Sequence, residues 1–172
     1  MKKAFAILLL LCLACALVAC SGENYDFTEE TFFLGLNNIQ MYPEKYIGKN
    51  ISFDCFTYLL TDTDGREYLC GVRKCSSGYG CTCGKDTIIG FILDYDGEIP
   101  EPINQSEDTQ DKTWIHLEGT LTTAEKTEVK IYAYNGDQID YNTVETVVFC
   151  TFAVSSLSVI EDYSGLAYYV TK

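Results

Sequence analysis

Nine cysteines among 172 residues are the first feature of this chain able to do chemistry. Cys12 and Cys15 fall inside an apolar N-terminal run, and Cys20 closes it. The other six are Cys55, Cys70, Cys75, Cys81, Cys83 and Cys150, and four of them bunch between positions 70 and 83. Outside the cytoplasm an even set reads as disulfides, with Cys55 and Cys150 paired or drawn into the same network. The bunched Cys70, Cys75, Cys81 and Cys83 offer, as a second reading behind disulfides, a soft thiolate site for zinc or copper. Zinc knuckles space each cysteine pair by about two to four residues, which this cluster matches only in part. Reduced thiols are the third reading. A bond between Cys81 and Cys83 would close a small strained ring, so those two would bond elsewhere. A thioredoxin-type enzyme needs Cys-x-x-Cys at a helix N-terminus, and none lies beyond the N-terminal run.

His116 is the single histidine, so any Ser-His-Asp or Cys-His arrangement has to use it. Strand alternation puts Trp114, His116 and Glu118 on one side and Ile115 and Leu117 on the other. With the aliphatic pair facing a core, His116 is expected on the outer surface, in a structural rather than a catalytic or ligand role. No nucleophile elbow, phosphate loop, His-Glu zinc motif or EF-hand occurs. The run Asp62-Thr63-Asp64-Gly65-Arg66-Glu67 reads as a hairpin turn rather than a calcium loop. The acidic stretch from Glu98 to Asp111 reads as a solvated connection rather than a cation site. Thirteen tyrosines and nine phenylalanines suit strands and a core before they suit a carbohydrate or peptide groove. No enzymatic activity is expected.

The N-terminus is targeting sequence. Lys2 and Lys3 precede an uncharged apolar run from Ala4 to Val18, shorter than the ~20 residues of a membrane span. Leu17-Val18-Ala19-Cys20 has the pattern of a bacterial lipobox, in which the cysteine receives diacylglycerol and becomes the new N-terminus. An ordinary signal peptide cut near Ala19 is the alternative. Residues 1–19 are thus expected as a lipoprotein signal peptide, 20–25 as a tether and 26–172 as one domain. The location is the bacterial cell envelope, lipid-anchored on the extracytoplasmic face.

The formal charge of −13 excludes nucleic acid as a partner, since phosphate binding needs a basic face. With 47% hydrophobic and 22% charged residues the chain can build a real core. Asp26 and Glu29 offer a capping box for a helix running toward Gln40, with Phe32, Phe33, Leu36 and Ile39 as its apolar face. Pro43 opens a short helical stretch to Tyr46, ended by Gly48. The period then becomes two. Ile51, Phe53, Cys55, Thr57 and Leu59 form one face of a strand, followed by strands over 67–73, 87–95, 114–121, 129–134 and 147–159. The segment 76–84 reads as a glycine-rich loop, and Asn135-Gly136-Asp137 as a turn. Five or six strands behind one helix predict a mainly β fold. It is expected as a small OB-like closed β-barrel, with a β-sandwich as the alternative.

Tyr42-Pro43-Glu44-Lys45-Tyr46-Ile47-Gly48-Lys49 and the strand through Phe56-Thr57-Tyr58 look like the opening of a known domain. Val72 to Cys75, Gly90-Phe91, Trp114 to Thr120, and Ser155-Ser156-Leu157 to Tyr168-Tyr169 extend the match over about residues 32–169. The chain resembles the extracytoplasmic C-terminal domain of the YcgQ-type permease-subunit family. The resemblance implies a shared domain and compartment, with a permease or other envelope protein as partner. That family carries paired adjacent cysteines where this chain has only Cys75 followed by Ser76-Ser77, and Cys81 and Cys83 are additions. The function expected is therefore a non-enzymatic binding or accessory lipoprotein associated with a transporter. A cysteine-cluster zinc or copper protein is the alternative.

Overall fold

A computed structural model describes residues 23–75, 87–103, 112–135 and 138–170. The elements are β1 (Asn24–Phe27), α1 (Phe32–Met41), a single 3-10 turn (Pro43–Lys45), β2 (Asn50–Thr61), β3 (Glu67–Cys75), β4 (Thr87–Asp94), β5 (Trp114–Asn135), β6 (Gln138–Val159) and β7 (Tyr169–Val170). They form one mixed seven-stranded sheet in the order β1-β2-β5-β6-β4-β3-β7, and β2 also pairs with β3. Hydrogen bonding therefore passes round β2, β3, β4, β6 and β5 and returns to β2. Within this ring only β4 and β6 run parallel. The fold is mainly β with one α-helix among the described residues, as the alternating pattern predicts.

The helix begins later than the capping-box pattern suggests. Asn24–Phe27 is a strand instead, paired parallel to Asn50–Phe53, and Asp26 accepts a hydrogen bond from Ser52 at 3.1 Å. Helix α1 starts after Thr31. Glu29 is thereby freed from capping and used elsewhere. A sheet edge with unpaired backbone groups outcompetes one extra helical turn, because each strand residue gains ladder bonds and side-chain cover together. The apolar helix face is as expected: Phe32, Leu36 and Ile39 are buried. Strands β5 and β6 are each continuous over 22 residues, longer than their apolar runs, and form a hairpin reaching well past the ring.

Two apolar clusters result. The inner one gathers Phe32, Leu36, Ile39, Ile51, Phe53, Cys55, Phe91, Ile115, Leu117, Cys150 and Phe152, with Ile89 half-buried against it. Phe53 lies 5.4–6.0 Å from the rings of Phe32, Phe91 and Phe152. The outer cluster gathers Phe56, Leu60, Cys70, Val72, Trp114, Val129, Phe149 and Tyr168. In β2 the residues up to Cys55 alternate with one buried face, whereas Phe56, Thr57 and Leu60 are buried on both. The turn after β2 is a hairpin: Asp62 Oδ1 accepts from the amides of Asp64 and Arg66, both at 2.8 Å. Gly65 sits at φ +81°, a value open to glycine at little cost.

Candidate functional site

Among the described residues the cysteines of the cluster do not converge. Cys70 and Cys75 are five residues apart on one strand, so they point to opposite faces. Cys70 belongs to the outer cluster and Cys75 to the inner one. One ion could not be held by both. Cys20, Cys81 and Cys83 lie outside the described residues. The Cys55–Cys150 disulfide expected from the count is not formed, and both are free thiols, as is Cys70. Their surroundings explain it. Cys150 Sγ turns to Gln40 Oε1 at 3.7 Å, whose Nε2 in turn donates to Gly90 O at 2.7 Å. Cys55 packs over Gly71, where an added Cβ would lie 2.9 Å from its sulfur and 2.8 Å from Leu117 Cδ1.

Burial also removes these thiols from nucleophilic chemistry. The Cys70 thiol is pushed up to about 12 by loss of water. Cys55 is raised further by burial, against a small opposing pull from the Arg73 charge. Cys150 is raised by burial as well, opposed by Lys126. The thiolate is the reactive form, so all three are poor nucleophiles near neutral pH. Among the described residues no group of three His, Cys, Asp or Glu side chains could hold a metal ion.

His116 stands on the outer side of β5, half-exposed, as its strand parity predicts. Its Nδ1 meets Asp54 Oδ1 at 2.7 Å across the β2–β5 pair, and Nε2 lies 3.7 Å from Glu118 Oε1. Trp114 shares that side of the strand yet is 1% exposed, because Tyr163 stacks on it at 6.3 Å.

That stacking belongs to a larger polar and aromatic arrangement among the described residues. Strand β2 pairs with β3 only as far as Phe56↔Val72, after which the two diverge. Arg73, the first residue past the divergence, is fully buried. Its guanidinium lies 4.8 Å from the Phe32 ring and 5.0 Å from the Trp114 ring. Nη2 donates to Glu29 Oε1, while Nε and Nη1 have no hydrogen-bond partner. Glu29 Oε2 accepts from the amide of Ala167 at 3.2 Å, so one carboxylate joins the approach to α1, β3 and the C-terminal segment. Lys112, 4% exposed, donates to Ile103 O at 2.6 Å and lies over the Phe56 and Tyr168 rings. Tyr168 stacks on Phe56 at 5.3 Å. The segment 160–170 thus covers the outer face of β2 and β3 with aromatic rings held by cations.

A family model for the DUF1980 C-terminal domain matches residues 18–147. The chain belongs to that family. It is the family to which the resemblance in the Tyr42–Lys49 opening and the Trp114–Thr120 strand pointed. No curated protein and no solved structure matches the chain. The matched span of this DUF1980 domain includes Arg73, Lys112 and Trp114, and stops within β6, ahead of Tyr163 and Tyr168.

Sequence reasoning missed Arg73, Lys112 and the covering role of Tyr163 and Tyr168. The one signal available was a basic residue at a strand position sharing the parity of Gly71 and Cys75. Alternation alone would have marked Arg73 as inward-facing.

Proposed function

We propose that this chain is a lipid-anchored extracytoplasmic binding or accessory domain without catalytic activity, working beside a transporter or other envelope protein. The observation that carries the reading is the box Leu17-Val18-Ala19-Cys20, four residues ahead of the first strand of a domain of this family. Among the described residues no helix is long and apolar enough to cross a membrane. The strand order supports an OB-type closed barrel made of β2 to β6. Three antiparallel strands are followed by a parallel β4–β6 pair and closure of β5 on β2. In such barrels ligands meet the face of the second and third strands, here β3 and β4. Among the described residues, the raised pKa values of Cys55, Cys70 and Cys150 favour a lack of thiol chemistry.

The test is Cys20→Ala in cells. The wild type is expected to partition into detergent and to carry a diacylglyceryl mass on Cys20. The variant is expected to remain unprocessed or to become soluble. A fully processed, detergent-partitioning variant would falsify the anchor.

A further inference from the structure

We propose that the end of the domain formed by Met41, Tyr42, Lys45, Ile47 and Lys49 rests on the lipid bilayer; this rests on the anchor reading for Cys20. The first observation is reach. Strand β1 is already paired with β2 at Asn24↔Asn50. Cys20 is four steps upstream, and an extended chain spans at most ~3.6 Å per residue, so the anchor lies within about 14 Å of that pair. The folded body has no room to stand away from the membrane.

The second observation is what that end displays. Met41, Tyr42 and Ile47 are 56%, 43% and 43% exposed, although they lie in seven consecutive residues. They flank the 3-10 turn, which the chain holds against β5. Gly48 donates to Leu121 O at 2.9 Å, and Tyr46 packs edge-on to Tyr25 of β1 at 5.2 Å. The cluster therefore sits beside the strand that leads to Cys20. Lys49 Nζ reaches Glu23, the first described residue, at 2.8 Å, and Lys45 Nζ lies 4.1 Å over the Tyr42 ring.

The third observation is charge. Lys45 and Lys49 balance Glu44 and Glu23, so this patch is neutral in a chain of −13. An acidic body tethered this closely would be repelled by anionic head groups, unless the face turned to them carried no net negative charge. Tyrosine and long lysine side chains suit the interface, with apolar parts in the acyl boundary and polar tips among head groups. Tyr141 is more exposed, at 69%, but belongs to the β5–β6 hairpin. That hairpin meets the opposite end of β2, where Thr63 donates to Lys130 O at 2.8 Å.

The test uses the lipidated full chain, reconstituted into vesicles of phosphatidylcholine and phosphatidylglycerol with or without brominated acyl chains. Trp114, the only tryptophan, is buried and supplies a constant background. Tyr42→Trp is expected to lose most of its added emission in brominated vesicles, and Tyr141→Trp almost none. Ile47→Trp gives a second reporter should Tyr42→Trp fold poorly. Lipidated chain that floats with the vesicles, yet shows equal or no quenching at 42 and 47, overturns the surface and leaves the anchor standing. Chain that carries no lipid on Cys20 and fails to float overturns both.

Discussion

The inner and outer apolar clusters of this domain are built on opposite faces of the same strands, yet they are stabilised differently. The inner cluster is closed by the ring itself and capped by α1, and Phe53 touches three other rings within it. The outer cluster lies on a face that water would wet if segment 160–170 were not folded over it. It is held by stacked rings, by Lys112, and by the Arg73–Glu29 pair that also receives the Ala167 amide. One is a core by topology and the other a core by cover. Cover of this kind costs the ordering of a chain end, so it holds only where several contacts act together.

Five measurements would sharpen or break this contrast. Phe53→Ala should have the largest effect, destabilising the domain by about 3–5 kcal/mol in urea denaturation, because it leaves a void among three rings. An unchanged midpoint would mean that the inner cluster is not the principal core. Glu29→Ala comes next, at about 3 kcal/mol, since it strands a buried guanidinium without its counter-ion. Arg73→Met should cost far less than Glu29→Ala, because it removes the charge together with its two unpartnered donors. Equal losses for both would show that the pair itself, and not the orphaned cation, carries the energy.

Tyr168→Ala should cost about 2 kcal/mol and raise binding of a hydrophobic dye, as Phe56 loses its stacked cover. If dye binding stays at the wild-type level, the segment is not what keeps the outer face dry. The smallest effect near neutral pH concerns the thiols. Cys55, Cys70 and Cys150 all ionise later in the folded state than in the unfolded one. Between pH 9 and 12 the unfolded chain therefore binds fewer protons. The stabilisation from neutral buried thiols is complete below about pH 9 and is lost as pH climbs toward 12. The denaturation midpoint should be flat from pH 6 to 8 and fall above 9. The triple alanine variant of these cysteines should show a shallower fall.

Much of this fold was legible residue by residue. Alternation in Ile51-Ser52-Phe53-Asp54-Cys55 marks an amphipathic strand, and Asp62 to Gly65 carries the chemistry of a tight turn. The helix face of Phe32, Leu36 and Ile39 follows from its 3.6-residue period. The start of α1 was not legible, because the choice between capping a helix and pairing with β2 depends on a strand 26 residues away. Of the candidate site, the outward place of His116 follows from parity. The separation of Cys70 from Cys75 was also present in parity, though the cluster's spacing drew attention to loop chemistry instead.

By itself the sequence determined the signals that act locally: the uncharged apolar run closed by Cys20, the acidic charge, the β-rich alternation and the turn residues. These depend on a few neighbouring side chains and on the period of the backbone. Only the tertiary structure decided that β2 closes on β5, that residues 160–170 cover Trp114 and Phe56, and that Glu29 serves Arg73 rather than a helix cap. Each of those outcomes is a competition between distant partners for one surface. Its result depends on which burial and hydrogen bonds the assembled sheet makes available, and no window of sequence contains both competitors.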